Sequence, residues 1–200
     1  MSTIPSPQIC LRPEQPGDEG SIRQINESAF ADRTEADRVQ ALRDAGAIRL
    51  SAVAILGGRS VDGGSVGTVG RTGMCSGEVI GGELVGHALF TPVTVTTDKG
   101  DIELLGMGPV AVLPAKQRQG IGTMMIAGCL EHLRSLHNRG VVFVGEPGFY
   151  RRFGFIQASR WGLRWEVEVP EENFLVLELT PGALAGVSGT VRYRPEFTQV

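Results

Sequence analysis

The sequence predicts a mixed α/β domain: one mostly antiparallel, splayed sheet flanked by helices, with a single right-handed β-α-β crossover near residues 110–145. Three observations predict it. Seven short apolar stretches of strand character are interleaved with four stretches whose apolar residues recur at helical spacing, in the order β-α-α-β-β-β-α-β-α-β-β. A Gly-x-Gly turn at Gly120 and Gly122 joins one of those strands to the most apolar helix. The chain is 200 residues long, the size of one domain with its own core, so residues 1–200 are read as a single unit.

Taken in order, Ile9 to Arg12 alternates apolar and polar, and the Pro13 to Asp18 run that follows suits a strand entering a helix. Ile22, Ile25, Ala29 and Phe30 mark one helix face over Ser21 to Phe30. Val39 and Leu42 mark another over Thr34 to Ala45, behind a Thr34 cap with Asp37 three residues on. Ile48 to Leu56 reads as a strand. Ten of the 26 residues from Gly57 to Gly82 are then Gly, a loop insertion best read as an extended hairpin.

Leu84 to Thr97 resumes as a strand broken only by Pro92, and Ile102 to Leu113 as a strand kinked at Gly106, Gly108 and Pro109. Ile126, Leu130, Leu133 and Leu136 line one face of a helix ending near Gly140. Val141 to Val144 is a buried strand, Pro147 to Phe153 a short helix, and Leu163 to Val169 and Phe174 to Leu179 are two late strands. Residues 181–200 form a C-terminal extension.

Composition narrows function. Nineteen Lys and Arg against 22 Asp and Glu give a net charge of -3, without the basic excess of a nucleic-acid binder. No apolar run approaches the ~20 residues that span a bilayer, and Met1 to Pro7 has neither a basic nor an apolar leader region, so the expectation is a cytoplasmic protein that binds no membrane. Cys10, Cys75 and Cys129 are odd in number and far apart, which predicts three reduced thiols.

The chemistry concentrates in Gln117-Arg118-Gln119-Gly120-Ile121-Gly122-Thr123. Two glycines one residue apart let the backbone turn tightly and leave the first amides of the following helix uncovered. With the helix dipole, those amides form a site for phosphate oxygens, and Arg118 adds a charge. The glycines alone equally suit close helix-sheet packing.

Val110-Ala111-Val112-Leu-Pro-Ala-Lys-Gln117-Arg118-Gln119-Gly120-Ile121-Gly122 resembles motif A of the GNAT N-acetyltransferases, whose loop holds the pyrophosphate of acetyl-CoA. Phe149-Tyr150-Arg-Arg-Phe153-Gly154-Phe155 resembles that family's motif B. From Leu11 to the Arg-Tyr-Arg-Pro-Glu-Phe197 tail, the chain is similar to the bacterial YhbS-like subgroup, the Gly57 to Gly82 insertion excepted. The resemblance implies direct transfer of acetyl from acetyl-CoA, as co-substrate, to a primary amine on a small molecule or protein. It implies that Val110, Ala111 and Val112 pair with the pantetheine arm, and that residues 117–123 hold the pyrophosphate. Tyr150 matches the acid that protonates the departing thiolate. The alternative is a non-catalytic acyl-CoA-binding module. A base for the amine is sought first at Glu103, then at Glu146, then at His87, or in bound water. The chain is expected to act without metal, as a monomer or homodimer.

Other patterns point less far. Gly63-Gly64-Ser65-Val66-Gly67 fits a nucleophile elbow but lacks the flanking strand and helix. Gly106-Met-Gly108-Pro109-Val-Ala111 fits a dinucleotide turn but continues as a strand. His132 and His137 lack metal-site spacing, Cys129 suits a buried helix face, and Trp161 and Trp165 suit either the core or an acceptor pocket wall.

Overall fold

The computed structural model describes residues 9–60, 74–75 and 78–197. Among them, one nine-stranded sheet carries helices on both faces. Its strands are β1 (Ile9–Pro13), β2 (Leu50–Leu56), β5 (Glu83–Thr97), β6 (Gly100–Val112), β7 (Gly140–Val144), β8 (Ile156–Gln157), β9 (Leu163–Trp165), β10 (Phe174–Glu178) and β11 (Gly189–Arg192). The main path runs β1-β2-β5-β6-β7-β10-β8, while β11 pairs with β5 and β9. Two short strands, β3 (Arg59–Ser60) and β4 (Val79–Ile80), pair at the base of the Gly-rich excursion. The Gly63 to Gly67 elbow lies outside the described residues.

Period-two alternation sorts the sheet residues between two faces. Ile9, Leu11, Ala52, Ala54 and Phe90 pack with Met125, Cys129, Leu130 and Leu133 of α3 (Ile121–Ser135). On the opposite face, Cys10, Val53, Ile55 and Leu89 meet Ile22 of α1 (Glu19–Phe30), together with Val39 and Leu42 of α2 (Thr34–Asp44). Farther along that face, Val93, Leu104, Val142 and Val176 are covered by the chain that follows β7. Arg12 donates to both Asp18 carboxylate oxygens at 2.6 and 3.0 Å, tying the end of β1 to the start of α1.

Several expectations need correction. Cys10 and Cys75 form a disulfide, so among the described residues only Cys129 is a free thiol. The chain returning from the insertion lies along the edge of β1, where the Cys75 N–H donates to Leu11 O at 2.7 Å. That proximity comes from edge-strand docking, which cysteine spacing does not encode. Thr34 does not cap α2 with its side chain. Asp32 Oδ1 instead accepts from the Thr34 N–H at 2.9 Å.

Pro92 does not break β5. Pairing with β2 ends at Phe90 and pairing with β11 begins at Thr94, so Pro92 has a ladder partner only on the β6 side, opposite Leu105. Leu136 is exposed because α3 stops at Ser135. The late strands are shorter than expected, and β9 ends at Trp165.

Two distortions shape the site. Opposite Leu89, β6 spends two residues, Gly108 and Pro109, joined by a cis peptide bond, so the strand bulges there. The parallel pairing of β6 with β7 covers only Leu105–Val141 and Gly106–Val142. Beyond those pairs the two strands diverge, and Met107 to Val112 face a cleft on that side.

Candidate active site

The cleft between the diverging strands holds two adjoining cavities. The first, about 360 Å³, lies over the N-terminus of α3. Gly120 precedes that helix with φ +83°, a left-handed conformation open to glycine at little cost, and no side chain caps the end. The first intrahelical bond runs from Met124 N–H to Gly120 O at 3.0 Å, leaving the amides of Ile121, Gly122 and Thr123 without a helical acceptor. Arg118 is also left-handed, with φ +61°, a conformation that costs a non-glycine residue about 1–3 kcal/mol and gathers at ligand-binding loops.

Lys116 and Arg118 supply the charge in this groove, and no carboxylate lines it. Three outward amides, a helix dipole and two cations form a donor set that fits a diphosphate. Gln117 anchors the loop, its Nε2 donating to Val112 O at 3.1 Å.

The structure brings Val110, Val112, Gln117, Arg118, Gly120, Ile121, Gly122, Thr123 and Tyr150 around this one groove. It does not bring Ala111 or Gln119. Ala111 is buried within the sheet, and Gln119 Nε2 turns back to Ala115 O at 3.3 Å. Lys116, Ile126 and Phe149 join the lining unannounced. The signal for Lys116 was present, since it adjoins the glycine turn.

The second cavity, about 390 Å³, lies across β6. Its walls include Phe143 from β7, Trp165 at the end of β9, and Tyr193 and Phe197 from the C-terminal extension, with Glu35 and Arg38 of α2 at one side. Trp165 is thus a cavity wall and also part of a core cluster, whereas Trp161 belongs to the cluster alone. A Cβ on Gly106 would lie 2.6 Å from Tyr193 Cε1, so glycine there lets the Tyr193 ring approach β6 this closely.

Tyr150 sits where the cavities meet. It ends α4 (Pro147–Tyr150), its ring 4.3 Å from that of Phe143 and 4.9 Å from that of Phe149. Burial among these rings pushes its phenol up to about 12, so the hydroxyl keeps its proton throughout the neutral range.

The three base candidates lie elsewhere. Glu103 pairs with exposed Arg49 at 2.5 Å, seven residues along β6 from Val110, a distance on the order of 20 Å. Glu146 caps α4, accepting from the Gly148 N–H at 3.2 Å. His87 is fully buried between Asn26 and Ser51, each 3.0 Å from one ring nitrogen. Ser51 donates to Glu14, so it accepts from His87 Nε2–H, and Nδ1 accepts from the Asn26 amide. Burial, aided by the charge of Arg43, lowers His87 to about 3. It is a neutral structural residue.

Burial likewise raises the Cys129 thiol to about 12. His132 is partly buried in α3 and His137 is exposed just beyond it. Among the described residues no group of three or more His, Cys, Asp or Glu is arranged to hold a metal ion, and no helix is long and apolar enough to cross a membrane.

A glycine-turned helix N-terminus at the mouth of a splayed parallel strand pair suits a phosphate-bearing ligand, and residues 11–158 match the family model described as an acetyltransferase (GNAT) domain. The chain belongs to the GNAT acetyltransferase family. It is similar to the N-acetyltransferase YhbS of Escherichia coli K12, at 34% identity over 118 residues that span 59% of this chain and 70% of YhbS. The crystal structure of Escherichia coli YhbS in complex with CoA superposes with a TM-score of 0.80 at 29% identity, covering 100% of this chain and 97% of that one. A GNAT acetyltransferase from Brucella melitensis in complex with acetyl-CoA gives 0.68 at 31%, covering 94% and 97%. The mixed α/β GNAT fold is therefore shared along nearly the whole chain.

Proposed function

We propose that this GNAT enzyme transfers acetyl from acetyl-CoA directly to a primary amine within one ternary complex. One observation carries the reading: the phosphate-suited groove and the second cavity share two lining residues, Val110 and Tyr150, so a donor and an acceptor bound in them meet on β6.

In this reading the amides of Ile121, Gly122 and Thr123, with Lys116 and Arg118, hold the diphosphate, and Gln117 holds the loop. The free edge of β6 at Val110 and Val112 receives the pantetheine arm as an added strand, and an amide there polarises the thioester oxygen, a contribution of about 2.7–4 kcal/mol in acyl transfer. Acetyl-CoA supplies the activated carbonyl. As the amine's N–C bond forms and the C–S bond breaks, the nitrogen releases one proton to solvent water, while the Tyr150 hydroxyl gives its proton to the sulfur and is reprotonated from solvent. No carboxylate or imidazole is needed to hold the amine neutral, because the aromatic walls of the acceptor cavity disfavour its charged form; Glu103 and Glu146 then serve as surface charge and helix cap. We assign the reaction to the cytoplasm, with the Cys10–Cys75 bond as the feature at odds with a reducing compartment.

The test is CoA thiol release from acetyl-CoA across a panel of primary amines. Amine-dependent release supports the proposal. Tight acetyl-CoA binding with no release for any amine would leave a binding module and refute it.

A further inference from the structure

We infer that the acceptor is a small primary amine carried on a flat apolar body and bearing no second charge, and that Tyr193 and Phe197 of the C-terminal extension select it. The inference rests on the acetyl-transfer reading and goes beyond it in naming the acceptor class.

Size comes first. A cavity of about 390 Å³ falls at the lower end of the range for small-molecule sites, roughly 300–1,000 Å³. The surface is equally informative. Trp165, Tyr193 and Phe197 form a train of rings, with centroid separations of 5.3 and 5.1 Å and interplanar angles of 56° and 75°. Such tilted and edge-to-face contacts are the favoured aromatic geometries.

The train is held from several sides. The Tyr193 hydroxyl donates to Val142 O at 3.3 Å, its ring lies against Gly106, and the Arg38 guanidinium sits 5.6 Å from the Phe197 centroid. Walls fixed in this way lose little entropy when a flat ligand packs on them.

Charge excludes the main competitors. Among the cavity's lining residues only Glu35 and Arg38 are charged, and they are paired with one another. A polyamine would bring several ammonium groups into a ring-lined space whose single carboxylate is already neutralised, and each unpaired charge would be desolvated without compensation. A lysine on a protein would need polar partners for its peptide backbone, where the walls offer ring faces. A monoamine on an aromatic or similarly flat body meets neither objection, and its one nitrogen must shed its charge to react in any case.

The experiment uses the full chain loaded with CoA, titrated calorimetrically with 2-phenylethylamine and with spermidine, beside thiol-release assays of the same amines with acetyl-CoA. We expect 2-phenylethylamine to bind at least tenfold tighter than spermidine. Phe197→Leu, which keeps apolar bulk but removes the ring face, should lose about tenfold in affinity for it; Phe197→Ala should lose more, with circular dichroism reporting whether each variant is folded. Spermidine binding as tightly or more tightly, no binding of 2-phenylethylamine, or a folded Phe197→Leu protein with unchanged affinity would overturn the inference. The two readings fail differently. Selective 2-phenylethylamine binding without thiol release sinks acetyl transfer alone, and release with spermidine but not 2-phenylethylamine sinks the acceptor class alone.

Discussion

Replacing Tyr150 by Phe removes one oxygen from the junction of the two cavities and leaves the ring cluster intact. The ring contacts with Phe143, Phe149 and Phe155, at 4.3, 4.9 and 6.0 Å, persist, so no cavity opens. Among the described residues the hydroxyl makes no hydrogen bond, so the fold loses no partner, and stability should change by less than about 1 kcal/mol in either direction. Catalysis should change far more. An acid that donates in the transition state typically contributes 10²–10⁴ in rate, which is about 2.7–5.4 kcal/mol at 1.36 kcal/mol per tenfold. We therefore expect kcat to fall by that factor while acetyl-CoA affinity, measured calorimetrically, stays within about twofold. With the phenol raised to about 12, the wild-type rate should show no loss assignable to its ionisation below pH 10. Equal losses in kcat and in acetyl-CoA affinity would mean that Tyr150 acts by packing, and the proposed acid role would be refuted.

Further outcomes follow from other parts of the molecule. Gly120→Val forces a β-branched residue to φ +83° and covers the open amides; loss of two charge-assisted hydrogen bonds at about 1.5 kcal/mol each weakens acetyl-CoA by roughly 100-fold, whereas Gly122→Ala, whose Cβ meets Val112 Cγ2 at an ordinary 3.7 Å, should cost less than tenfold; calorimetry separates them. His87 is lowered to about 3 from 6.5, so between those values the unfolded chain binds the extra proton and stability falls as pH falls. From pH 6.5 to 5 the loss is about 1.6 kcal/mol by urea denaturation, and a flat profile there would show that His87 protonates in the folded state. The disulfide joins residues 65 positions apart, so reducing it should lower stability by roughly 4 kcal/mol; an unchanged denaturation midpoint with and without reductant would show that the pair is not bridged in solution.

The donor side was legible because it is local. A strand, a glycine turn and an apolar helix follow one another within residues 102–135, and each leaves its own mark: alternation, Gly120 and Gly122, then 3.6-residue spacing. The bulge at Gly108 and Pro109 was readable for the same reason. Long-range juxtapositions were not. Nothing in the spacing of Arg38, Trp165 and Phe197 indicates that they share a cavity, and nothing in the Cys spacing indicates that Cys75 returns beside β1. Pro92 misled as a strand breaker because its tolerance depends on where β2 stops and β11 starts. Glu103 attracted attention by residue type, whereas its register opposite Thr94 puts it at the far end of the strand.

Among the described residues only Val110 and Tyr150 line both cavities, so any coupling between the two halves of the proposed reaction passes mainly through those two side chains. One half is cut from a continuous stretch of chain and the other is assembled from remote pieces. Changes in the remote pieces that lie more than about 10 Å from that junction should therefore combine nearly additively with changes in the continuous one, whereas changes at Val110 or Tyr150 should couple to both. If the proposed roles hold, such an architecture can be re-aimed at a new amine by altering the rings near residue 197, while the groove proposed to grip coenzyme A stays as it is.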